Sequence, residues 1–202
     1  IDGFLFPTGP VDDLQRKLKN ESFVLRTQAR TEMCDGALEQ KVGFNYSHFN
    51  RRDTNPDSFG TSAFDGETTK FDWQANVVLH ETARVRSVLT TGLDYLVENA
   101  SSSVAAGRSL QASGIYIQDH VVVDETWSTV LGTRWDRYSQ AGSTTTYRVT
   151  TRYMLDEAET AVHGSIGTGF RAPAINELFD PNLGNPDLRP ERSFGWELGV
   201  EQ

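Results

Sequence analysis

Alternation of apolar and polar residues with a period of two is the feature that most constrains the fold of this chain. In the segment 69–79 every second residue from Phe71 to Leu79 is apolar. The residues that alternate with them, from Lys70 to Asn76, are polar. Successive side chains of a β-strand point to opposite faces of a sheet, whereas a helix needs apolar residues three and four apart. The same alternation recurs in 127–138 and 193–201. The chain is therefore predicted to be all-β, with one apolar and one polar face.

The alternation predicts about nine strands over most of the chain. Their bounds lie near 22–31, 38–51, 67–79, 85–97, 108–123, 126–138, 144–154, 160–170 and 192–202. Several of these segments have thirteen or more residues, whereas strands of soluble sheets usually have about five or six. Long strands are typical of a tilted wall that crosses a bilayer and projects beyond it.

The connections between these strands alternate in length. Four are tight and lie near 34–36, 80–82, 123–125 and 156–158. The other four are longer or richer in turn-forming residues, and they lie near 53–66, 98–107, 139–143 and 171–191. Successive connections of an antiparallel up-and-down sheet fall on opposite ends. We therefore predict a short-turn rim and a long-loop rim.

The apolar content permits a membrane strand and excludes a membrane helix. No run of consecutive apolar residues exceeds three, but a strand with lipid on one face and water on the other needs only every second residue apolar. Aromatic residues lie mostly towards the strand ends, where an outer-membrane barrel has its interfacial girdles. They are Trp73, Tyr95, Trp127, Trp135, Tyr138, Tyr147 and Tyr153. A soluble sandwich or lipocalin-like barrel with an apolar interior has the same pattern, so this alternative stays open.

Charge and motif content argue against several classes of function. The chain has 28 acidic and 19 basic residues, a net charge of -9, whereas a nucleic-acid partner requires clustered basic residues. The segment 167–172 matches the dinucleotide pattern G-x-G-x-x-A, but Pro173 follows at once and no βαβ unit surrounds it. The four histidines are isolated from one another and from the single Cys34. No catalytic residue is predicted, and the chain is not expected to be an enzyme.

One acidic segment has the spacing of a calcium loop. Asp53, Asn55 and Asp57 form D-x-N-x-D and offer oxygen ligands, but the glycine and distal glutamate of an EF-hand are missing. A solvated acidic loop is the simpler interpretation. We expect no cofactor and no metal site, with calcium at these three residues as the weak alternative.

Four ordered sequence elements towards the end of the chain carry a specific resemblance. They are S-x-G-x-G-F-R-A-P at 165–173, N-E-L-F at 176–179, G-N-P-D-L-R-P-E at 184–191 and E-L-G-V-E at 197–201. The preceding Y-x-Q-D at 116–119 and G-x-R-x-D at 132–136 extend the series. In this combination the chain resembles the TonB-dependent outer-membrane receptors, most specifically over 108–202.

The resemblance implies an antiparallel up-and-down transmembrane β-barrel in the bacterial outer membrane. Residues 1–202 would form a partial barrel, about nine strands of a larger one, without a plug domain; the chain is then a fragment. The implied function is energy-coupled uptake of a scarce bulky solute such as a ferric siderophore or cobalamin. The implied partners are outer-membrane lipid, this ligand, and the plug domain and TonB complex through parts outside this chain. A soluble or passive β-barrel that binds a small molecule without energy coupling is the alternative.

Candidate binding residues lie at the long-loop rim, where charged and aromatic side chains can hold a polar, bulky ligand by ion pairs, hydrogen bonds and stacking. They are Arg51, Arg52, Asp53, Asn55, Asp57, Phe59, Tyr138, Arg171 and Asn185. Gly167 and Gly169 are expected to leave room for the plug, which Asn176 and Glu177 would face. A bulge with satisfied polar neighbours is the alternative for these four.

Overall fold

Nine long strands form one antiparallel sheet in the computed structural model, which describes residues 3–5, 9–11, 15–56, 60–103, 105–155, 159–180 and 183–202. Each strand pairs with the next one in sequence. The strands are β3 (Lys17–Met33), β4 (Leu38–Asn55), β5 (Gly60–Glu81), β6 (Val85–Ser102), β7 (Ala105–Val123), β8 (Trp127–Tyr138), β9 (Gly142–Leu155), β10 (Thr160–Arg171) and β11 (Glu191–Glu201). The predicted all-β, up-and-down order is confirmed.

Two small elements accompany the sheet. A separate hairpin pairs β1 (Gly3–Leu5) with β2 (Gly9–Val11). The helix α1 (Ile175–Phe179) lies in the connection between β10 and β11. The nine-stranded sheet is open, because β3 and β11 form its two edges.

The strands at the long-loop rim extend further than the alternation predicts. Residues 60–66 and 98–102 belong to β5 and β6, and the pairing of β4 with β5 continues to Asn55 opposite Gly60. The predicted loops 53–66 and 98–107 are therefore mostly strand. Their Gly, Ser, Asp and Asn residues are typical of turns, but ladder hydrogen bonds to a neighbouring strand satisfy the same backbone groups. In the ranges that the structure describes, the long connection that remains at this rim is 172–190.

The two faces of the sheet differ in exposure as well as in polarity. Large apolar residues of central strands stand on the exposed face: Ile115 is 53% and Leu131 is 50% exposed. Polar residues of the opposite register, such as Gln74, are partly covered by their neighbours. We call these the apolar face and the polar face; α1 and the cavities described below lie on the polar face.

This distribution contradicts the soluble alternative. A lipocalin-like barrel buries its apolar face in the interior, whereas here the apolar face is the more exposed one. Trp127 and Tyr153 pair directly on this face at the short-turn end, as an interfacial girdle requires. Among the described residues no helix has the length and apolar character needed to span a membrane.

Candidate functional site

The centre of the polar face holds a charged cluster around Arg134 of β8. Its guanidinium donates to Asp94 Oδ2 of β6 at 2.8 Å and to both carboxylate oxygens of Asp136 at 2.8 and 2.9 Å. Asp136 is only 7% exposed. One arginine thus balances two carboxylates that are largely removed from water, and the fork geometry of the guanidinium suits both.

Glycines beneath this cluster make room for side chains that lie flat on the wall. A Cβ on Gly92 would stand 2.4 Å from the Tyr116 hydroxyl, and one on Gly114 would stand 1.9 Å from Arg134 Nη2. The Tyr116 hydroxyl donates to Gln74 Oε1 at 3.0 Å, and the Arg134 guanidinium lies 5.7 Å from the Tyr116 ring centroid. The side chains of Gln74, Tyr116 and Arg134 therefore contact one another and lie flat along the polar face. We call this layer of side chains the plate.

The plate continues across the first strands. Arg26 donates to Asp72 at 2.7 and 3.1 Å. Glu39 accepts from Asn76 at 2.7 Å and forms an ion pair with Lys41 at 2.8 Å. Charges on the polar face are thus mostly paired within the wall.

The connection 172–190 is fastened to the strands by one arginine. Arg171, at the end of β10, donates to Glu177 at 2.5 Å and to Glu191 at 3.0 Å. Glu177 also accepts the Ala174 backbone N–H at 2.8 Å, which caps α1. Pro173 and Leu178 are buried under this arrangement. Arg171 and Glu177 therefore have a clear structural role in holding α1.

Deprotonated Glu177 is stabilised by its two donors. The Ala174 N–H and the Arg171 guanidinium hold the pKa of Glu177 below its ordinary value. A carboxyl whose folded pKa is depressed stabilises the fold above its unfolded pKa, about 4.3, and loses that contribution as the pH falls through the folded value. Acidification is thus expected to loosen the connection 172–190.

Glu177→Gln, made in the full-length reading frame that encodes this chain, is expected to speed amide hydrogen exchange over 172–190 at pH 7. The amide still accepts a hydrogen bond, but it loses the charge that Arg171 requires. The difference from the wild type should disappear below the folded pKa of Glu177, after correction for the intrinsic exchange rate. Glu125→Gln, in a turn at the opposite rim, is the control and should change nothing over 172–190. Equal exchange of variant and wild type at pH 7 would contradict the proposed role of the charge.

A cavity of about 630 Å³ lies on the polar face between α1 and the rim ends of β4 to β7. Its apolar surface comes from aromatic rings and an isoleucine, and its polar surface from hydroxyl, amide, carboxylate and guanidinium groups. The lining residues that point to this face or come from α1 include Ser47, Phe49, Phe64, Thr68, Glu98, Arg108, Ile175, Asn176 and Phe179. Such a mixture in a concave site is typical of a pocket for a bulky, amphipathic ligand.

Aromatic contacts shape two walls of this cavity. Phe49 and Phe64 lie on neighbouring strands with ring centroids 6.3 Å apart. On the opposite side, the guanidinium of Arg108 lies 5.0 Å from the centroid of the Phe179 ring. The contact between Arg108 and Phe179 joins α1 to β7 and closes the cavity on that side.

The structure places the predicted ligand residues of β4 beside the cavity and not in its lining. Both carboxylate oxygens of Asp53 accept from Arg16, at 3.0 and 2.6 Å, and Arg51 lies 3.7 Å away. Arg52 points to the opposite face by strand alternation, and Asn55 ends the strand. Asp57 and Phe59 lie outside the described residues. Of the three calcium candidates, Asp53 is therefore engaged by a guanidinium.

The remaining predicted ligand residues are spread along the same rim. Tyr138 lines a smaller cavity of about 250 Å³, and its ring lies 5.2 Å from that of Phe170. Arg171 is the fastening residue described above. Asn185 accepts the Asp187 N–H at 2.9 Å, and its own N–H donates to the Glu177 carbonyl at 2.8 Å. These three residues are not brought together into one site.

The predicted plug-facing residues are only partly open to the lumen side. A Cβ on Gly167 would stand 2.8 Å from the Tyr147 carbonyl oxygen, and one on Gly169 would stand 2.4 Å from the Ser193 hydroxyl. Glycine at these two positions therefore makes room for atoms of the neighbouring strands. Asn176 lines the larger cavity and is exposed.

Sequence reasoning missed most of the lining of the larger cavity. A signal was present, because Phe49 and Phe64 carry aromatic rings on the register that is otherwise polar in β4 and β5. An apolar residue on a polar face needs a local partner. The position of Glu98 opposite α1 had no such signal, since it depends on how 172–190 folds back.

Solved structures of outer-membrane receptors share this fold. The siderophore receptor PirA from Acinetobacter baumannii aligns with a TM-score of 0.75 at 18% identity, over 92% of this chain and 32% of that one. A mutant of the ferric enterobactin receptor PfeA from Pseudomonas aeruginosa, in complex with enterobactin, aligns with a TM-score of 0.76 at 16% identity, over 92% of this chain and 33% of that one. At such identities the likeness shows the fold, a partial barrel wall.

Sequence comparison identifies the family. The vitamin B12 transporter BtuB of Photobacterium profundum is 25% identical over 184 residues, which are 90% of this chain and 29% of that protein. The chain thus spans less than a third of this relative. Members of the family are outer-membrane receptors and transporters. Residues 4–202 match the family model described as TonB dependent receptor-like, beta-barrel, and the chain therefore belongs to the TonB-dependent receptors.

Proposed function

We propose that this chain forms part of the barrel wall of an outer-membrane receptor for energy-coupled uptake of a bulky solute, with the cavity beneath α1 as part of its binding site. The observation that carries the proposal is the position of that cavity. It lies on the polar face, at the rim that bears the long connection. A solute that arrives at this rim meets the cavity before it meets the plate around Arg134.

The lining of the cavity suits a ligand with both apolar and polar surface. Phe49 and Phe64 offer apolar area that a bulky ligand can cover. Ser47, Thr68 and Asn176 offer hydroxyl and amide groups that hydrogen-bond its polar parts. Relatives of this chain include a transporter whose name gives vitamin B12 and a receptor whose name gives ferric enterobactin. Both compounds are bulky and carry mixed surfaces, which supports this class of ligand.

The plate around Arg134 suits a surface on which a plug domain rests. Its charges are paired within the wall, so a plug can slide or unfold against it without breaking strong ion pairs. Gly167, Gly169, Asn176 and Glu177 lie above it towards the rim, and we propose them as the part nearest the plug. The plug and the TonB complex would act through segments outside this chain.

Calcium at Asp53, Asn55 and Asp57 stays a proposal. The guanidinium of Arg16 occupies both oxygens of Asp53 and would have to leave before a cation bound. Arg16 and calcium would therefore compete for one carboxylate.

Filling the cavity is expected to weaken ligand binding while the barrel stays folded. Thr68→Trp places a large ring in the space that the ligand would occupy, and we expect a roughly ten- to hundredfold loss of affinity, about 1.4–2.8 kcal/mol. Thr69→Trp is the matched control, because the next residue of the same strand points to the apolar face, where an aromatic ring is tolerated. Binding of cyanocobalamin and ferric enterobactin is measured on the full-length receptor in lipid vesicles. If both variants bind like the wild type, the cavity is not the binding site.

A further inference from the structure

The carboxylate of Glu98 in β6 stands where the two cavities meet. It lines both the larger and the smaller cavity, and it is half-buried. No residue that the structure describes hydrogen-bonds its side chain or forms an ion pair with it. Most charges elsewhere on this face are paired, as around Arg134. A partly desolvated carboxylate that lacks a donor is costly unless something outside the wall supplies one.

Two cations of the polar face, Lys70 of β5 and Arg108 of β7, are diagonal neighbours of Glu98 in the strand register, and in the described part of the chain neither forms an ion pair with it. Diagonal neighbours are within reach of long side chains. The guanidinium of Arg108 instead lies over the ring of Phe179. That contact holds the cation at the α1 wall of the cavity and leaves the Glu98 carboxylate open.

The lining of the larger cavity is acidic in sum. Three of its residues carry a carboxylate, namely Glu67, Glu98 and Asp180, and one carries a guanidinium, Arg108. Even without Glu67, which strand alternation turns to the apolar face, carboxylates outnumber the cation. Asp180 accepts the Leu183 N–H at 2.9 Å, so Glu98 is the carboxylate that is open to a ligand.

We propose that Glu98 selects the ligand of this cavity by charge, and that the ligand is a bulky solute with a cationic or neutral hydrogen-bond-donating group. This inference rests on the proposed function, since it names the ligand class of the same cavity. An ionised carboxylate only accepts hydrogen bonds, so an ammonium, amide or hydroxyl donor satisfies it. A polyanionic ferric chelate would bring like charges together in a partly desolvated site. The rings of Phe49 and Phe64 cover the apolar part of the same ligand.

The test uses ligands that share a scaffold and differ in charge. Aquacobalamin carries one positive charge more than cyanocobalamin, and ferrioxamine B carries one more than its N-acetyl derivative. Ferric enterobactin serves as the polyanion. Dissociation constants are measured on the full-length receptor in lipid vesicles for the wild type, Glu98→Gln and Glu98→Lys. Glu125→Gln, at the opposite rim, removes one negative charge far from the cavity and is the control.

The expected result is a preference that depends on Glu98. The wild type should bind at least one matched pair. It should bind the cationic member of that pair more tightly than the neutral member, and it should bind ferric enterobactin more weakly than the cationic member. Glu98→Gln should reduce the preference for the cationic member about tenfold, the usual worth of a charge-assisted hydrogen bond, and Glu98→Lys should reverse it. Glu125→Gln should leave it unchanged.

Two other results separate the inference from the proposed function. If ferric enterobactin binds most tightly, or if the preference survives Glu98→Lys, the charge selection is wrong and the receptor function stands. If none of the five compounds binds to the wild-type receptor, both proposals are overturned.

Discussion

Leu131→Arg is expected to destabilise the folded barrel by about 2–4 kcal/mol, the cost of a guanidinium on the lipid face near the bilayer midplane. Leu131 lies on the apolar face midway between Trp127 and Trp135 of β8. Those two tryptophans are eight residues apart, about 26 Å along a strand at 3.3 Å per residue. At a strand tilt of about 40° this is about 20 Å along the membrane normal, which lies within an apolar band about 25 Å tall. Leu131 is therefore at the most apolar depth of the wall.

Val130→Arg is the matched control for this prediction. Val130 is the preceding residue of the same strand and points to the polar face, where a guanidinium stays hydrated. We expect it to change the unfolding free energy by less than about 1 kcal/mol. Both variants are made in the full-length receptor, and urea unfolding in lipid vesicles gives the free energies. If Val130→Arg is the more harmful change, the two faces are assigned the wrong way round and the apolar face points inward.

Removal of the Arg134 side chain is expected to cost about 3 kcal/mol, the lower end of the range for breaking a buried ion pair. Arg134→Met leaves Asp94 and Asp136 close together without their cation, and Asp136 is almost fully buried. The value is at the lower end because a third of the Arg134 side chain is exposed. Two uncompensated carboxylates also repel each other, which favours the unfolded state.

A combined variant shows whether the cost comes from the unpaired carboxylates. Replacement of Asp94 and Asp136 by leucine in the Arg134→Met background removes all three charges, and stability should return to within about 1 kcal/mol of the wild type. Arg148→Met is the control for loss of an arginine from the same face, because no residue that the structure describes pairs with it. Urea unfolding of the full-length receptor measures all four proteins. A combined variant that is less stable than Arg134→Met would contradict this explanation.

The middle of each strand could be predicted from the sequence because its cause is local. Lipid on one side and water on the other impose apolar and polar residues in strict alternation, as between Phe71 and Val77. At the long-loop rim both sides of the wall meet water, so the alternation fades and residues such as Gly60, Ser62 and Asp65 look like a loop. Their strand conformation depends on pairing with β4, which composition does not show.

The candidate site was harder to predict because its residues come from distant parts of the chain. Arg108 meets Phe179 only after the connection 172–190 folds back over the polar face. Arg171 was predicted as a ligand residue from its type and position, and the structure shows it bound to Glu177 and Glu191. Residue type indicated that this part of the rim matters, but not which partner each charge has.

The amino-acid sequence by itself determined the number of long strands, their up-and-down order, the two chemically distinct faces and the family. Each of these follows from side-chain period, turn residues and ordered motifs, which are local properties of the chain. Only the tertiary structure decided which charges are paired, where the cavities lie and that Glu98 stands open between them. Those features depend on strand register and on the packing of α1 against β7, because both bring together residues that are far apart in sequence.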